Sequence, residues 1–219
     1  MGIEAAIVMI AFVIVAAALA FVVLNMGFST TQKAKTAIVS SYTEASSAIE
    51  VSGTITGIGD VSTGALNATI IPLKVASGGG SVNLNPNQTS IAYYSNTVRY
   101  DNIYANHCVL TSGTFNTVVA ALDHAVASTC IDAVPISGSN ETVDAPSTTQ
   151  AVIYWDLSTT TPNGILGEAQ HANLVVVYKS ADRPQVFDNI KVEVIVPTGS
   201  ALTVERQVPS ITTNIVDLG

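Results

Sequence analysis

Residues 5–24 read AAIVMIAFVIVAAALAFVVL, twenty consecutive apolar residues in a chain of 219. At a rise of about 1.5 Å per residue, a helix of this length spans about 30 Å, which matches the hydrocarbon thickness of a bilayer. A helix that is apolar on every side must be covered on every side, by lipid or by protein. The sequence therefore predicts an N-terminal helix that does not remain in water, and it leaves both coverings open.

The apolar stretch combines large side chains with a group of alanines at positions 16, 17, 18 and 20. Small residues let helix backbones approach closely, and β-branched residues lose little side-chain entropy when they are locked into a bundle. We therefore predict that the helix packs against copies of itself in the core of a polymer. The predicted packing residues are Ile7, Ile10, Phe12, Val13, Ile14, Ala17, Leu19, Phe21 and Leu24.

The helical pattern continues beyond the apolar stretch into a more polar segment, residues 29–50, whose apolar residues recur at intervals near four. We expect one nearly continuous helix over residues 1–50, about 45 to 50 residues long, with Gly27 as the place where it bends or loosens. A plain membrane anchor needs no such extension. A helix that is first wholly apolar and then amphipathic suits a bundle core that passes outward into a globular coat.

Glu4 is the single charged residue among the first 32. One interpretation places its carboxylate among lipid headgroups; the other pairs it with the N-terminal ammonium of a neighbouring subunit, because a buried charge needs a partner. Lys33 and Lys35 favour a cytoplasmic location for the following domain under the positive-inside rule. An external domain therefore requires a basic leader that is removed ahead of Met1, and we expect the chain to be already processed.

The remainder, residues 51–219, consists of short β-branched or alternating runs separated by Gly, Pro, Asn and Ser. This pattern predicts an α+β chain in which a long N-terminal α-helix precedes an immunoglobulin-like antiparallel β-sandwich or a barrel. Residues 115–127 fit either a strand pair or a short helix. The predicted strands are 53–58, 68–75, 89–94, 98–104, 151–157, 174–179, 190–196 and 201–208.

Charged residues make up 11% of the chain, against about 25% in an ordinary soluble domain, and the mean hydropathy is +0.44. The net charge is −8, and the residues after Val51 carry thirteen acidic against six basic side chains. Nucleic-acid binding requires clustered Lys and Arg, which this sequence does not offer. Nucleic acid is therefore excluded as an expected partner.

Two features of the β-rich part fit an extracellular location. Cys108 and Cys130 form an even pair, which permits one disulfide or two buried free thiols. Asn67, Asn87 and Asn140 each begin an N-x-S/T triplet near a predicted loop or strand edge, which makes them candidates for N-glycosylation.

Patterns that carry chemistry are missing from the sequence. His107, His124 and His171 do not combine with the cysteines at zinc-ligand spacing, and no G-x-S-x-G or similar catalytic arrangement occurs. Asp and Asn in β-loops leave calcium binding open, because calcium ligands need no fixed motif. We expect a chain that is not an enzyme, with no catalytic residues, no metal site and no cofactor.

Two segments carry a resemblance to a known family. GIEAAIVMIAFVIVAAALAFVVLNMG at residues 2–27, followed by TTQKAK at 30–35, resembles the N-terminal region of archaeal flagellins (archaellins), which are type IV pilin-like proteins. VERQVPS at 204–210 and the closing VDLG are similar to members of the same family. The match covers roughly the first 40 and the last 20 residues, and the middle supports only the general architecture.

The resemblance implies a subunit of the archaeal flagellum, the extracellular filament that rotates for swimming. It also implies a short leader cut by a prepilin-type peptidase, transient membrane insertion, extraction by a basal assembly machinery into a homopolymer, and N-glycosylation. Family members are cut close to the start of this segment, so Met1 and Gly2 both remain candidates for the mature N-terminus. The alternatives are an adhesive type IV pilin, a membrane-anchored surface sandwich that does not polymerise, and an anchored enzyme.

Overall fold

The computed structural model describes residues 2–46, 49–134, 136 and 144–219, except for the side chains of 43–46 and 105–108. The chain divides into two compact units, Met1–Tyr42 and Thr43–Gly219, and each is described by itself. The first unit is helical and the second is built mainly from strands.

The first unit lies within one helix, α1, which runs from Gly2 to Ser46 without interruption. The predicted long N-terminal helix is therefore confirmed, and Gly27 remains helical. Ala, Leu and Met favour a helix, whereas the β-branched Val and Ile favour it less. In proteins, most of the stability of a helix comes from the packing of its apolar surface.

The second unit contains thirteen strands and one further α-helix among its described residues. The helix α2 spans Val118–Ala127, and a 3-10 turn spans Ser180–Asp182. The strands are β1 Ile49–Val51, β2 Thr56–Asp60, β3 Ala65–Val75, β4 Val82–Asn83, β5 Ser90–Ser95, β6 Arg99–Tyr100, β7 Tyr104–Thr114, β8 Gln150–Leu157, β9 Ile165–Leu166, β10 His171–Val177, β11 Asn189–Ile195, β12 Leu202–Gln207 and β13 Ile215–Asp217.

Two main sheets face each other. The larger sheet has the order β13-β2-β3-β10-β8-β7, and β1 pairs with the far end of β3. The smaller sheet has the order β12-β11-β5-β6, and β4 pairs with β9 in a separate short ladder. The core between the sheets includes Trp155, Leu174, Tyr93 and Val192, all nearly inaccessible to solvent. The predicted β-sandwich is thus confirmed.

Strand β10 is buried on both of its faces, which explains its run of consecutive apolar residues. Leu174 and Val176 point into the core between the sheets, whereas Val175 and Val177 point to the opposite face. Helix α2 covers that opposite face through its buried residues Ala121, Leu122 and Ala125. The domain therefore has three layers, with the larger sheet in the middle.

The one departure from an antiparallel arrangement among the described ladders is the pair β7 and β8, which are parallel. The chain from β7 to β8 passes through α2, and parallel neighbours need such a crossover connection. The segment 115–127, which the sequence left undecided, thus contains a helix. Thr117 caps it by accepting a hydrogen bond at Oγ1 from the Ala120 amide, 3.2 Å away.

The predicted strand at 98–104 is wrong, because the structure places two strands there, β6 and β7. Asn102 lies between them, and its Oδ1 accepts hydrogen bonds from the amides of Ile91 at 3.3 Å and Tyr104 at 3.0 Å. A side chain that takes over ladder hydrogen bonds in this way ends one strand and starts another. The other seven predicted strands overlap observed strands, and their ends differ by at most three residues.

Candidate assembly surface

The surface of α1 is apolar and exposed. Every large apolar side chain from Ile3 to Phe28 is between 52% and 79% accessible to solvent. Residues 2–42 are exposed along the whole helix, and the stretch from Gly2 is long and apolar enough to cross a membrane. Removing a large apolar side chain from water is worth about 1.5–3 kcal/mol, so the sixteen between Ile3 and Phe28 together favour association strongly.

The predicted packing residues all lie on this exposed surface, distributed around the helix rather than on one side. Their exposed fractions include 74% for Phe12, 63% for Ile14 and 62% for Leu19. A helix covered by several neighbours needs apolar residues on all sides, whereas a helix docked on its own domain needs only one stripe. The pattern therefore indicates that α1 is covered on all sides, by lipid or by other helices.

The threonine hydroxyls near and after Gly27 find their hydrogen-bond acceptors within α1. The hydroxyls of Thr30 and Thr31 donate to the carbonyls of Met26 and Gly27, each at 2.8 Å, and Thr36 donates to Gln32 at 2.9 Å. Each bond reaches back four residues, so these hydroxyls need no partner outside their own helix. The transition from apolar to polar surface thus leaves these three hydroxyl donors satisfied.

Glu4 lies in the first turn of α1, at the end of the helix where the macrodipole favours a negative charge. Met1, which precedes the helix, lies outside the described residues, so the predicted contact with an N-terminal ammonium stays a prediction. Lys33 and Lys35 are exposed in the more polar half of α1.

The three predicted glycosylation sites differ in their surroundings. Asn87 is exposed in the turn between β4 and β5, where the amides of Gln88 and Thr89 donate to the Asn85 carbonyl. Asn67 lies within β3, and its Oδ1 is buried. Asn140 lies outside the described residues. The surroundings favour Asn87 as an acceptor, and glycosylation at all three stays a prediction.

The predicted pairing of Cys130 with Cys108 stays a prediction. Cys130 follows α2 and is disulfide-bonded, but the side chain of Cys108 in β7 lies outside the described part of the chain. The β7 strand and α2 belong to the same crossover, which brings the two sequence positions into one part of the domain.

A buried polar cluster around Asp182 was not anticipated from the sequence. Its Oδ2 accepts hydrogen bonds from the Tyr100 hydroxyl at 2.9 Å and from Thr149 Oγ1 at 2.8 Å. Thr149 in turn accepts the amide of Lys179 at 3.2 Å. The hydrogen bond to Asp182 raises the pKa of Tyr100. The cluster joins three distant segments, and no local sequence signal marks such a contact.

Within the described residues, no group of three or more His, Cys, Asp or Glu side chains is placed to hold a metal ion. On the surface of α2, the ring nitrogens of His124 contact the hydroxyls of Ser112 at 3.1 Å and Ser128 at 3.2 Å. Among the described contacts, His124 has no carboxylate partner. The absence of a metal and of a cofactor therefore stays a prediction.

An apolar helix that is exposed on all sides, joined to a three-layer β domain, defines a class of proteins whose helix has to be covered by other molecules. The chain belongs to the archaeal-type flagellin family, whose model matches residues 1–206. This confirms the family resemblance found in the N-terminal segment, and it supports a structural protein rather than an enzyme.

Curated relatives align over part of their length. A probable flagellin 1 of Aeropyrum pernix is 48% identical over 103 residues, which are 47% of this chain and 50% of the relative. Flagellin FlaB2 of Saccharolobus shibatae is 38% identical over 106 residues, 47% of this chain and 35% of the relative. The chain thus spans about half, or less, of these curated relatives.

Two solved structures share the fold. A chain of the archaeal flagellum of Methanospirillum hungatei strain JF1 superposes with a TM-score of 0.61 at 20% identity, covering 100% of this chain and 99% of that one. Archaeal flagellin FlaB1 of Methanocaldococcus jannaschii gives a TM-score of 0.57 at 13% identity, covering 78% and 96%. At these identities the likeness establishes the long helix followed by β-sheets.

Proposed function

We propose that this chain is the structural subunit of an archaeal flagellar filament, and that it polymerises outside the cell through α1. The observation that carries the proposal is the exposure of every large apolar side chain from Ile3 to Phe28. In a filament, copies of the same helix cover these side chains on all sides. Membership of the flagellin family supports the same conclusion.

In this proposal α1 forms the filament core and the β domain forms the outer coat; residues 49 and 50, which the sequence assigned to the helical segment 1–50, belong to β1 and therefore to the coat. Lipid covers α1 before assembly, since the helix is long and apolar enough to span a bilayer. The resemblance of the N-terminal segment to archaellins further supports processing by a prepilin-type peptidase and transfer to the filament by a basal machinery. Rotation of the filament for swimming is the activity that such a subunit serves.

The test is electron microscopy of material sheared from cells that produce the chain, combined with detergent extraction. We expect helical fibres that contain this subunit and resist mild detergent. A chain recovered only as detergent-soluble monomers, while the same cells display other appendages, would be a membrane-anchored surface protein instead. Loss of tethered-cell rotation on deletion separates a flagellar filament from an adhesive pilus.

A further inference from the structure

An exposed aromatic residue, Phe187, occupies an unusual backbone conformation in the loop before β11. Its φ angle is +69°, in a backbone region that residues other than Gly, Asn and Asp rarely adopt. The side chain is nevertheless 69% exposed, so burial in its own domain does not compensate for the strained backbone. Strained residues persist where the surrounding structure holds them, and they concentrate at functional sites.

Hydrogen bonds hold the backbone of the loop around Phe187 in place. The Phe187 amide donates to the Val208 carbonyl at 2.7 Å, and the Val208 amide donates to the Asp188 carbonyl at 2.9 Å. The Asp188 carboxylate accepts hydrogen bonds from the Gln185 amide at 2.8 Å and from Asn96 Nδ2 at 3.0 Å. The ring is therefore presented to solvent from a fixed backbone, which lowers the entropy lost when a partner covers it.

The segment that leads to Phe187 adjoins a part of the chain with another exposed apolar side chain. Ala65, the first residue of β3, forms a bridge with Gln185, so the chain leading to Phe187 runs beside the turn between β2 and β3. That turn carries Val61, which is 50% exposed. Val61 is therefore a second exposed apolar residue close along the chain to the strand start that pairs with Gln185.

If the chain assembles as proposed above, neighbouring β domains have to touch. Packed helices lie about 8–10 Å apart, whereas a compact unit of the length of Thr43–Gly219 is roughly 40 Å across. Domains carried by adjacent helices therefore crowd against each other. Each domain also carries an excess of acidic residues, thirteen against six after Val51, so contacts between identical copies disfavour charged surface.

We propose that Phe187 is an anchor residue of the contact between the β domains of neighbouring copies, a second interface in addition to α1. This proposal rests on the proposed function, since it requires that copies assemble. Buried aromatic residues contribute strongly to protein interfaces, and an uncharged, exposed ring on a hydrogen-bonded backbone fits that role between two domains of the same charge.

The test compares filaments of the unsubstituted chain with Phe187→Asn and Ala169→Asn. Asn tolerates positive φ, so Phe187→Asn removes the ring without adding backbone strain. Ala169 is also exposed and has a φ of +57°, which makes it a matched control that loses no aromatic ring. We expect Phe187→Asn to raise the concentration of free subunit in equilibrium with filaments at least tenfold, while Ala169→Asn leaves it unchanged.

The thermal unfolding of the β domain, measured in detergent-dispersed subunits, separates an interface role from a role in folding. We expect Phe187→Asn to unfold at the same temperature as the unsubstituted chain or higher. A lower unfolding temperature, or filaments as stable as those of the unsubstituted chain, would overturn the proposal. If the unsubstituted chain itself forms no filaments, it is the proposed function that fails.

A second variant reads the contact directly. Phe187→Cys, assembled with an excess of unsubstituted chain so that it enters filaments, is treated with a maleimide before and after assembly. We expect the labelling to be at least tenfold slower in filaments, with the unsubstituted chain as background. Equal labelling in both states would show that the residue stays exposed and would refute the contact.

Discussion

The carboxylate of Glu4 is the only charge on the apolar half of α1, and its placement in the first turn limits what it can contact. In a filament core it would be surrounded by apolar side chains, where an unpaired charge is costly. The N-terminal ammonium of a neighbouring copy is the partner that we expect there.

Glu4→Gln keeps the size of the side chain and removes its charge. We expect this variant to be produced as a folded subunit but to assemble poorly, because the ammonium of the neighbour loses its partner. The measurement is the yield of sheared filaments at equal subunit expression. Filaments in normal amounts would contradict the ion pair and leave a headgroup-level role for Glu4 in the membrane.

Thr149 tests the buried cluster around Asp182. Thr149→Val keeps the shape of the side chain but removes the hydrogen bonds to Asp182 and to the Lys179 amide. We expect the free energy of unfolding to fall by about 1–3 kcal/mol, the cost of leaving buried polar groups unpaired. Denaturant unfolding measures this, with the exposed neighbour in Thr148→Val as a control that changes stability little.

At the scale of elements, α1 unites two different halves in one continuous helix. The apolar half is expected to be covered by copies, whereas the half after Gly27 carries Lys33, Lys35 and the threonine hydroxyls. A substitution in the apolar half of α1 should therefore affect assembly more than a substitution in the polar half, even where the two have similar helix propensities.

Ile14→Asn and Thr36→Asn introduce the same residue at two exposed positions of α1. Since Ile, Thr and Asn have similar helix propensities, the helix itself is affected about equally. We expect Ile14→Asn to raise the critical concentration for assembly by roughly 100-fold or more, because an apolar contact is lost and an amide is buried. Thr36→Asn should assemble nearly normally; equal effects would show that the apolar half is not preferentially covered.

The elements also show where sequence reasoning works and where it stops. The helix α1 follows from its composition, and strands such as β10 follow from apolar runs between turns. The sequence of α2 fits both a strand and a helix. Its β-branched Val118 and Val119 are typical of strands, whereas Leu122 and Ala125 fit a helical spacing. The parallel pairing of β7 with β8 depends on that helix, so the expectation of an antiparallel sandwich did not include it.

Sites formed by distant segments escaped prediction for a related reason. Asp182, Tyr100 and Thr149 are separated by 33 residues or more along the chain, and their contacts arise from the sheet topology. Phe187 gave no signal either, because a positive φ and high exposure are properties of the folded loop. The apolar surface of α1, in contrast, can be predicted because its residues are consecutive in the sequence.

At the scale of the whole molecule, the tyrosines of the β domain link its stability to alkaline pH. Burial raises the pKa values of Tyr93, Tyr104 and Tyr178 above the usual 10.0, and burial raises the pKa of Tyr154 to about 12. The unfolded chain therefore releases these protons at lower pH than the folded domain does. Linkage requires the stability to be fully present below pH 10 and to fall as the pH rises beyond it.

An alkaline titration checks this expectation. We expect the slow rise of tyrosinate absorbance from exposed tyrosines to be followed, at higher pH, by a cooperative rise that coincides with the loss of near-ultraviolet circular dichroism. The buried tyrosines then ionise only as the domain unfolds. Ionisation of all seven tyrosines near pH 10, with the fold retained, would contradict the raised pKa values.

The threonine hydroxyls of α1 bear on how a subunit changes its surroundings. Thr30, Thr31 and Thr36 donate to carbonyls of their own helix, and these bonds depend on no outside molecule. In the proposed transfer of α1 from a membrane to a filament, none of these bonds has to break, because both partners belong to the same helix. The three hydroxyl donors therefore stay paired whichever molecules surround the helix.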